Sequence, residues 1–411
     1  MSAMPERVVI VGASLAGLST ARALRSRGYD GELTIIGEEL HRPYDRPPLS
    51  KDFLAAVVDH LELSLEADDE DLDATWRLGE RACALRPLPT GGAEIELGSG
   101  EVIAGDRVVL ATGASARSGI PGVDLPGVHL LRTLDDAKSL RSDLHSAAAT
   151  GAPVVIVGGG FIGSEVAATA RKLGCNVTMI VMEDVPLREP LGPFADPIAA
   201  LHVEHGVDIR PHAMVQSVQP GTAGLDVVLT TGHRIPAATV VLGIGAVPAV
   251  RWLAGSGLDL GRGADAIRCD EHGLTNLDGV FAVGDCAAWH NPGLGYHYHI
   301  EHWTSAKERG AVVAARLVGA ERIPTSRPPY VWSDLYDSKL QLAGYRDLAD
   351  HPATPEHTLE SGSISEGSFT AVFRRAGQPV AVLSLDQPRE FAAIRRRLVT
   401  PAPIPEKGAS A

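Results

Sequence analysis

Cysteine is scarce here. The four residues, Cys83, Cys175, Cys269 and Cys286, are far apart and form no CxxC pair. That spacing argues against a thiolate zinc site and a disulfide-exchange motif, and it fits a reducing compartment. Long apolar runs are also missing. Nothing approaches the roughly 18 consecutive residues a membrane helix needs. The opening MSAMPERVVI enters a strand pattern at once, without the apolar stretch of a secretion signal. Basic residues are outnumbered, 37 Lys and Arg against 51 Asp and Glu, and the net charge of −14 argues against nucleic acid as a partner. A soluble cytoplasmic protein is expected.

Glycine, by contrast, is abundant, with 44 residues in a chain of 411. That length suits two or three domains, each with its own core. Two glycine-bearing segments look like copies of each other: VVIVGASLAG from Val8 to Gly17, and VVIVGGGFIG from Val154 to Gly163. Each is a β-branched apolar run that breaks at a glycine, Gly12 or Gly158, into a helical pattern. A second β-like run comes after each, ELTIIGEE from Glu32 and NVTMIVME from Asn176. This is the form of a dinucleotide-binding turn: a tight bend at the strand end, a small residue where the pyrophosphate presses on backbone, and a helix N-terminus aimed at the phosphates. Gly12, Ser14 and Gly17 fill the three fingerprint positions of the first copy. Gly158, Gly160 and Gly163 fill those of the second. Glu38, 21 residues after Gly17, is placed to take the hydroxyls of an adenosine ribose. A lone fingerprint is weak, but two in one chain point to a flavin/nicotinamide oxidoreductase.

The order of segments predicts a discontinuous first domain. RVVLATG (Arg107 to Gly113) returns to the first sheet, and TVVLGIG (Thr239 to Gly245) ends the inserted unit. GVFAVGDCA (Gly279 to Ala287) then reads as a buried strand, and a helix is expected over Trp303 to Val318. Residues 1–114 and 246–322 would form the first domain, 115–245 the second, and 323–411 the last. Pro324, Pro328 and Pro329 mark the linker. In the last domain strands are expected at Ala371–Phe373 and Val380–Leu385, a short basic helix around Arg395–Arg397, and a disordered tail.

Six further segments carry a family resemblance: PYDRPPLSK, ATGA at Ala111, LRTLDDA at Leu131, GGGFIGSEVAA at Gly158, AVGDCA at Ala282 and WSDLYDSKLQLAG at Trp332. Together, and in this order over nearly the whole chain, they resemble the ferredoxin reductases of bacterial oxygenase systems. The resemblance implies an α/β fold with two Rossmann-like, glutathione-reductase-like dinucleotide domains and a C-terminal α+β interface domain. It implies FAD in the first domain and NADH in the second. It further implies hydride transfer to the flavin and single-electron delivery to a [2Fe–2S] ferredoxin (or a rubredoxin), which supplies a cytochrome P450 or Rieske oxygenase.

Carried over position by position, it puts Leu15 and Ala16 at the FAD pyrophosphate. Ala82, Ala111, Thr112, Gly113, Arg46 and Arg132 line the same cofactor, and Gly284 and Asp285 approach its ribityl chain. Lys51, Glu165 and Trp303 would lie at the reacting rings. Read without the resemblance, Lys51 is also a solvated loop lysine, Asp285 a turn former, Trp303 a core tryptophan and Glu165 a first-turn dipole partner.

Phe161, Ile162, Gly243, Ile244 and Gly245 would contact the nicotinamide coenzyme. Val181 stands where the family shows a ribose-binding carboxylate, with Glu183 and Asp184 as substitutes that disfavour a 2′-phosphate. NADH is favoured over NADPH, less sharply than usual. His290, His297, His299 and His302 suggest a wet polar cavity mouth rather than a metal site, because no further ligand completes the set. Arg389 and Arg395–Arg397 form a basic patch, either a docking face for an acidic ferredoxin or a solvated helix face. A thiol-based reductase is disfavoured, since no cysteine lies between Glu38 and Cys83. A non-catalytic FAD-bound redox sensor is the rival of a different class.

Overall fold

Val- and Ile-rich runs buried on both faces build the two central sheets, as parallel strands covered by helices require. The computed structural model describes residues 4–222, 224–261, 265–321, 323, 328–346 and 355–400. The first sheet is parallel, with strand order Val280–Ala282, Arg107–Leu110, Arg7–Val11, Glu32–Gly37 and Thr75–Leu78. The second, also parallel, runs Asp208–Arg210, Asn176–Ile180, Pro153–Val157, Thr239–Leu242 and Val128–His129. The chain completes its first sheet only after building the second. It crosses between them on a two-stranded antiparallel ribbon, Ala114–Ala116 against Ala246–Pro248. A small antiparallel meander accompanies each parallel sheet.

The helix Leu15–Ser26 buries Leu18, Ala21 and Leu24 and packs on the helix Trp303–Leu317. Gly310 permits the approach, because a β-carbon there would meet the Thr20 backbone nitrogen at 2.9 Å. This second helix starts where the sequence predicts and ends one residue earlier.

A five-stranded antiparallel sheet closes the chain, in the order Tyr330–Leu335, Ser338–Gly344, Gln378–Leu385, Ser368–Arg375 and Glu356–Ser363. One face packs Phe369, Phe373 and Leu383 against Leu187, Leu191, Phe194 and Ile198 of the second unit. The other receives Phe391 of the helix Pro388–Arg395. That helix corrects the expected position around Arg395–Arg397. Pro388, which lacks an N–H to lose, opens it, and Arg396 and Arg397 lie beyond its end. Pro324 and the tail from residue 401 fall outside the described residues. Among the described residues no helix is long and apolar enough to cross a membrane.

Candidate active site

Both fingerprint turns are built alike. Gly12 and Gly158 have φ of +126° and +106°, in the region that favours glycine. A β-carbon on Gly12 would sit 2.1 Å from the Ala111 carbonyl oxygen, and one on Gly158 would sit 2.3 Å from that of Gly243. Gly17 and Gly163 face the Gly12 and Gly158 carbonyls, where a β-carbon would come within 2.0 and 2.1 Å. The N–H groups of Gly12 and Gly158 donate to Ile36 and Ile180 at 2.8 Å in both cases. The middle position differs. Ser14 and Gly160 both have negative φ and extended backbone, so neither requires glycine. Neither residue caps its helix through a side chain, so the leading N–H groups of both helices stay open to phosphate.

Registers equate the second strands of the two units. Val11 pairs with Ile36, and Val157 pairs with Ile180. Val181 therefore corresponds to Gly37, and Met182 corresponds to Glu38. By this register the counterpart of Glu38 is Met182, 61% exposed, and that of Gly37 is Val181, 1% exposed. Packing differs between the two units here. A β-carbon on Gly37 would meet Ala13, whereas Val181 fills the space left by Gly159. Glu38 is exposed, 3.7 Å from Arg81 and next to the strand that begins at Ala82. Glu183 is exposed, and its carbonyl accepts the His212 N–H at 3.1 Å. Asp184 is engaged with Arg188 through two hydrogen bonds, at 2.8 and 2.7 Å.

Around the first turn, charged groups converge. Arg46 pairs with Glu39 at 2.6 Å, donates to the Arg132 carbonyl at 2.5 Å, and reaches Ser14 Oγ at 3.4 Å. Arg132 in turn pairs with Asp285 at 3.1 Å, and its guanidinium also borders Gly113. A β-carbon on Gly284 would touch that of Ala16 at 3.0 Å, so the Gly284–Asp285 turn presses on the helix start. Ala111 faces Gly12, Thr112 donates to the Ala249 carbonyl at 3.0 Å, and Leu15 opens the helix. In the second unit Phe161 and Ile162 open the corresponding helix. Gly243 lies 3.2 Å from the Gly163 nitrogen, measured from its would-be β-carbon, with Ile244 and Gly245 next in the chain.

The proline-rich loop meets the second fingerprint helix where Lys51 pairs with Glu165, with Nζ 2.8 Å from Oε2. Glu165 is 4% exposed. Its Oε2 also accepts from Ser50 Oγ, and its Oε1 accepts from Ser333 Oγ at 2.6 Å. Trp303 donates from Nε1 to Asp45 Oδ1 at 2.7 Å. Burial holds the Asp45 carboxyl above its usual range, against the pull of Trp303 and Lys51. The Trp303 ring meets Trp332 edge-on at 6.2 Å, Trp332 stacks on Tyr330 at 5.7 Å, and Arg395 lies 4.2 Å over Tyr330.

A model of the pyridine nucleotide-disulphide oxidoreductases matches residues 6–310, and a reductase C-terminal model matches 330–409. The chain belongs to the pyridine nucleotide-disulphide oxidoreductase family. It is 35% identical to rhodocoxin reductase of Rhodococcus erythropolis, over 98% of this chain and 92% of that protein. Its identity is 36% to the ferredoxin--NAD(+) reductase component of an anthranilate 1,2-dioxygenase system of Burkholderia cepacia, over 99% and 97%. The crystal structure of a covalent putidaredoxin reductase–putidaredoxin complex superposes with a TM-score of 0.87 at 30% identity, covering 95% of this chain and 92% of that one. The chain shares the oxidoreductase fold and class. Its four cysteines are free, Cys83 exposed and Cys175, Cys269 and Cys286 buried.

The residues present fit a flavin and a nicotinamide nucleotide, because both turns bend where only glycine fits and both present helix N–H groups that no side chain caps. The histidines do not converge. His290 and His297 face each other at 5.6 Å on paired strands, and His299 Nε2 is 2.7 Å from the Asp285 carbonyl oxygen. His302 is pulled down to about 4 by burial, and its Nδ1 has no hydrogen-bond partner. Among the described residues no group of three or more side chains suits a metal. Sequence reasoning did not single out Asp45, Ser50 and Ser333. All three lie inside segments that carried the resemblance, PYDRPPLSK and WSDLYDSKLQLAG.

Proposed function

We propose that this protein is an NADH-dependent ferredoxin reductase, taking hydride from NADH and passing electrons to a [2Fe–2S] ferredoxin that serves a cytochrome P450 or Rieske oxygenase. The observation that carries the reading is a pair of congruent nucleotide turns in one chain, with the two units joined by an ion pair between Lys51 of the first and buried Glu165 of the second. Bound FAD would supply the exchange between two-electron and one-electron chemistry. Gly12, Ser14 and Gly17 would seat its pyrophosphate and Glu38 its ribose. Arg46, Arg132 and Asp285 would hold the chain between them. Gly158, Gly160, Gly163 and Glu183 would seat the coenzyme. Lys51 sets a positive charge where a reduced, anionic ring is stabilised. Trp303 shields that region from water.

We assign the flavin domain to 1–114 and 246–322, the coenzyme domain to 115–245 and the interface domain to 323–411. NADH is preferred over NADPH because Glu183 offers a carboxylate where a 2′-phosphate would need a cation. The exposed Arg389, Arg396 and Arg397 would steer an acidic ferredoxin toward the Tyr330–Trp332–Trp303 stack. We place the protein in the cytoplasm.

Anaerobic stopped-flow of the FAD-loaded protein tests this, read at ~450 nm where oxidised flavin absorbs. Fast bleaching by NADH, slower bleaching by NADPH, and turnover of a [2Fe–2S] ferredoxin are expected. Turnover of rubredoxin alone would move the acceptor. Bleaching by neither nucleotide would leave a flavin-bound sensor and end the reductase reading.

A further inference from the structure

Three segments far apart in sequence meet at one carboxylate. Ser50 and Lys51 come from the proline-rich loop, Glu165 from the second fingerprint helix and Ser333 from the C-terminal sheet. Ser333 is fully buried, and its hydroxyl is the one donor on Glu165 Oε1 among the hydrogen bonds of the described residues. Oε2 carries the other two donors, Ser50 and Lys51. Thr169, one helical turn beyond Glu165, ties down the same loop by donating to the Ser50 carbonyl at 2.7 Å. The carboxylate is thus held from both sides, and its negative charge is shared among three donors rather than given wholly to Lys51.

We propose that Ser333 is a positioning residue for flavin reduction: by holding Glu165 Oε1, it keeps Glu165 from neutralising Lys51 more completely. This rests on the reductase reading above. A buried carboxylate oxygen that loses its donor must find compensation, and the cation already on this carboxylate is Lys51, 2.8 Å from Oε2 and also donating to the Pro47 carbonyl at 3.0 Å. A tighter pair lowers the positive potential that Lys51 projects, so the reduced flavin loses stabilisation. The location gives Ser333 a second consequence. Adjacent residues in a strand point to opposite faces. Ser333 points at Glu165 while Trp332 points at Trp303 and Tyr330. One strand of the C-terminal sheet therefore holds both the electrostatic lock and the aromatic stack.

The test compares wild type, Ser333→Ala, Ser333→Thr and Ser384→Ala as FAD-loaded proteins. Ser384 is an equally buried serine of the same sheet, bonded to Thr370 and distant from Glu165 in the hydrogen-bond network. Two quantities are read: the flavin midpoint potential by dye equilibration, and flavin reduction across a range of NADH concentrations. Ser333→Ala is expected to shift the potential to more negative values and slow limiting reduction about tenfold, with half-saturation by NADH changed by less than about twofold. Ser333→Thr, which keeps the hydroxyl, restores both, and Ser384→Ala changes neither. If alanine prevents folding, Ser333→Cys, with a weaker donor in similar volume, is expected to move both quantities the same way by less. An unchanged potential and rate in Ser333→Ala, with wild type still reduced by NADH, overturns the inference alone. Failure of wild type to be reduced overturns the reductase reading, and the inference with it.

Discussion

The two nucleotide turns share one backbone and differ in the side chains around it. At the first glycine both admit no β-carbon, both place φ in the glycine region, and both close with the same hydrogen bond to an isoleucine carbonyl. Downstream they diverge. The first unit pairs Ala13 with Gly37 and ends in Glu38; the second reverses the size pattern, Gly159 with Val181, and ends in Met182. The backbone of the two turns is the same, and the difference between them lies in the side chains at and beyond the strand end. Both units are tied to the C-terminal sheet, the second through Glu165–Ser333 and His202–Tyr336 at 2.9 Å, the first through the edge-on contact of Trp303 with Trp332.

The largest effects should separate the turns. Gly12→Ala or Gly158→Ala forces a β-carbon into a carbonyl oxygen at a φ that alanine resists, at a cost of about 3 kcal/mol or more. Gly12→Ala should lose FAD, measured by flavin content after purification. Gly158→Ala should keep FAD and lose coenzyme binding, measured by titration calorimetry with NAD+. Next comes the ion pair between them. Lys51→Met leaves Glu165 buried and unpaired, at a cost of about 3 kcal/mol. A lower midpoint in urea and slower flavin reduction should appear together. Val181→Glu, by burying a carboxylate, should destabilise by a comparable amount, about 3 kcal/mol, visible in the same urea titration.

A pH effect of similar size belongs to both units, through His202 in the second and His302 in the first. Burial pulls His202 down to about 4 from its ordinary 6.5. Between those values the unfolded chain holds a proton that the folded one refuses, so stability falls as pH drops from 6.5 and levels near 4. The loss is about 3 kcal/mol at most. Urea unfolding at about pH 7 and about pH 5, on either side of the ordinary histidine range, should show it, and His202→Gln should remove the share of the second unit and leave that of His302. The smallest effects sharpen the comparison. Met182→Glu adds at the strand end the carboxylate that Glu38 supplies in the first unit, and should raise NADH over NADPH selectivity by about 1 kcal/mol. Ser14→Gly should alter FAD affinity by less than about 0.5 kcal/mol, because that backbone is extended in either case.

Much of this was legible in the sequence because it is written locally. The β-branched runs ending at Gly12 and Gly158 specify strand, turn and helix within about 20 residues, and both parallel sheets are built outward from them. Contacts between distant segments were not legible. Nothing in the spacing of Ser50, Glu165 and Ser333 says that three segments meet at one carboxylate. The setting of Val181 was not legible either, because nothing in the strand sequence says that it packs on Gly159. The basic helix was misplaced because three arginines draw the eye past Pro388, the residue that starts it.

That two separate turns seat two nucleotides, with hydride passing from one nucleotide to the other beside Lys51 and Glu165, is tested most directly in Gly158→Ala. Purified with FAD, that variant should bleach fully with dithionite and not with NADH, while wild type bleaches with both. Rapid NADH bleaching of Gly158→Ala would contradict it, because hydride would then reach the flavin without the second turn.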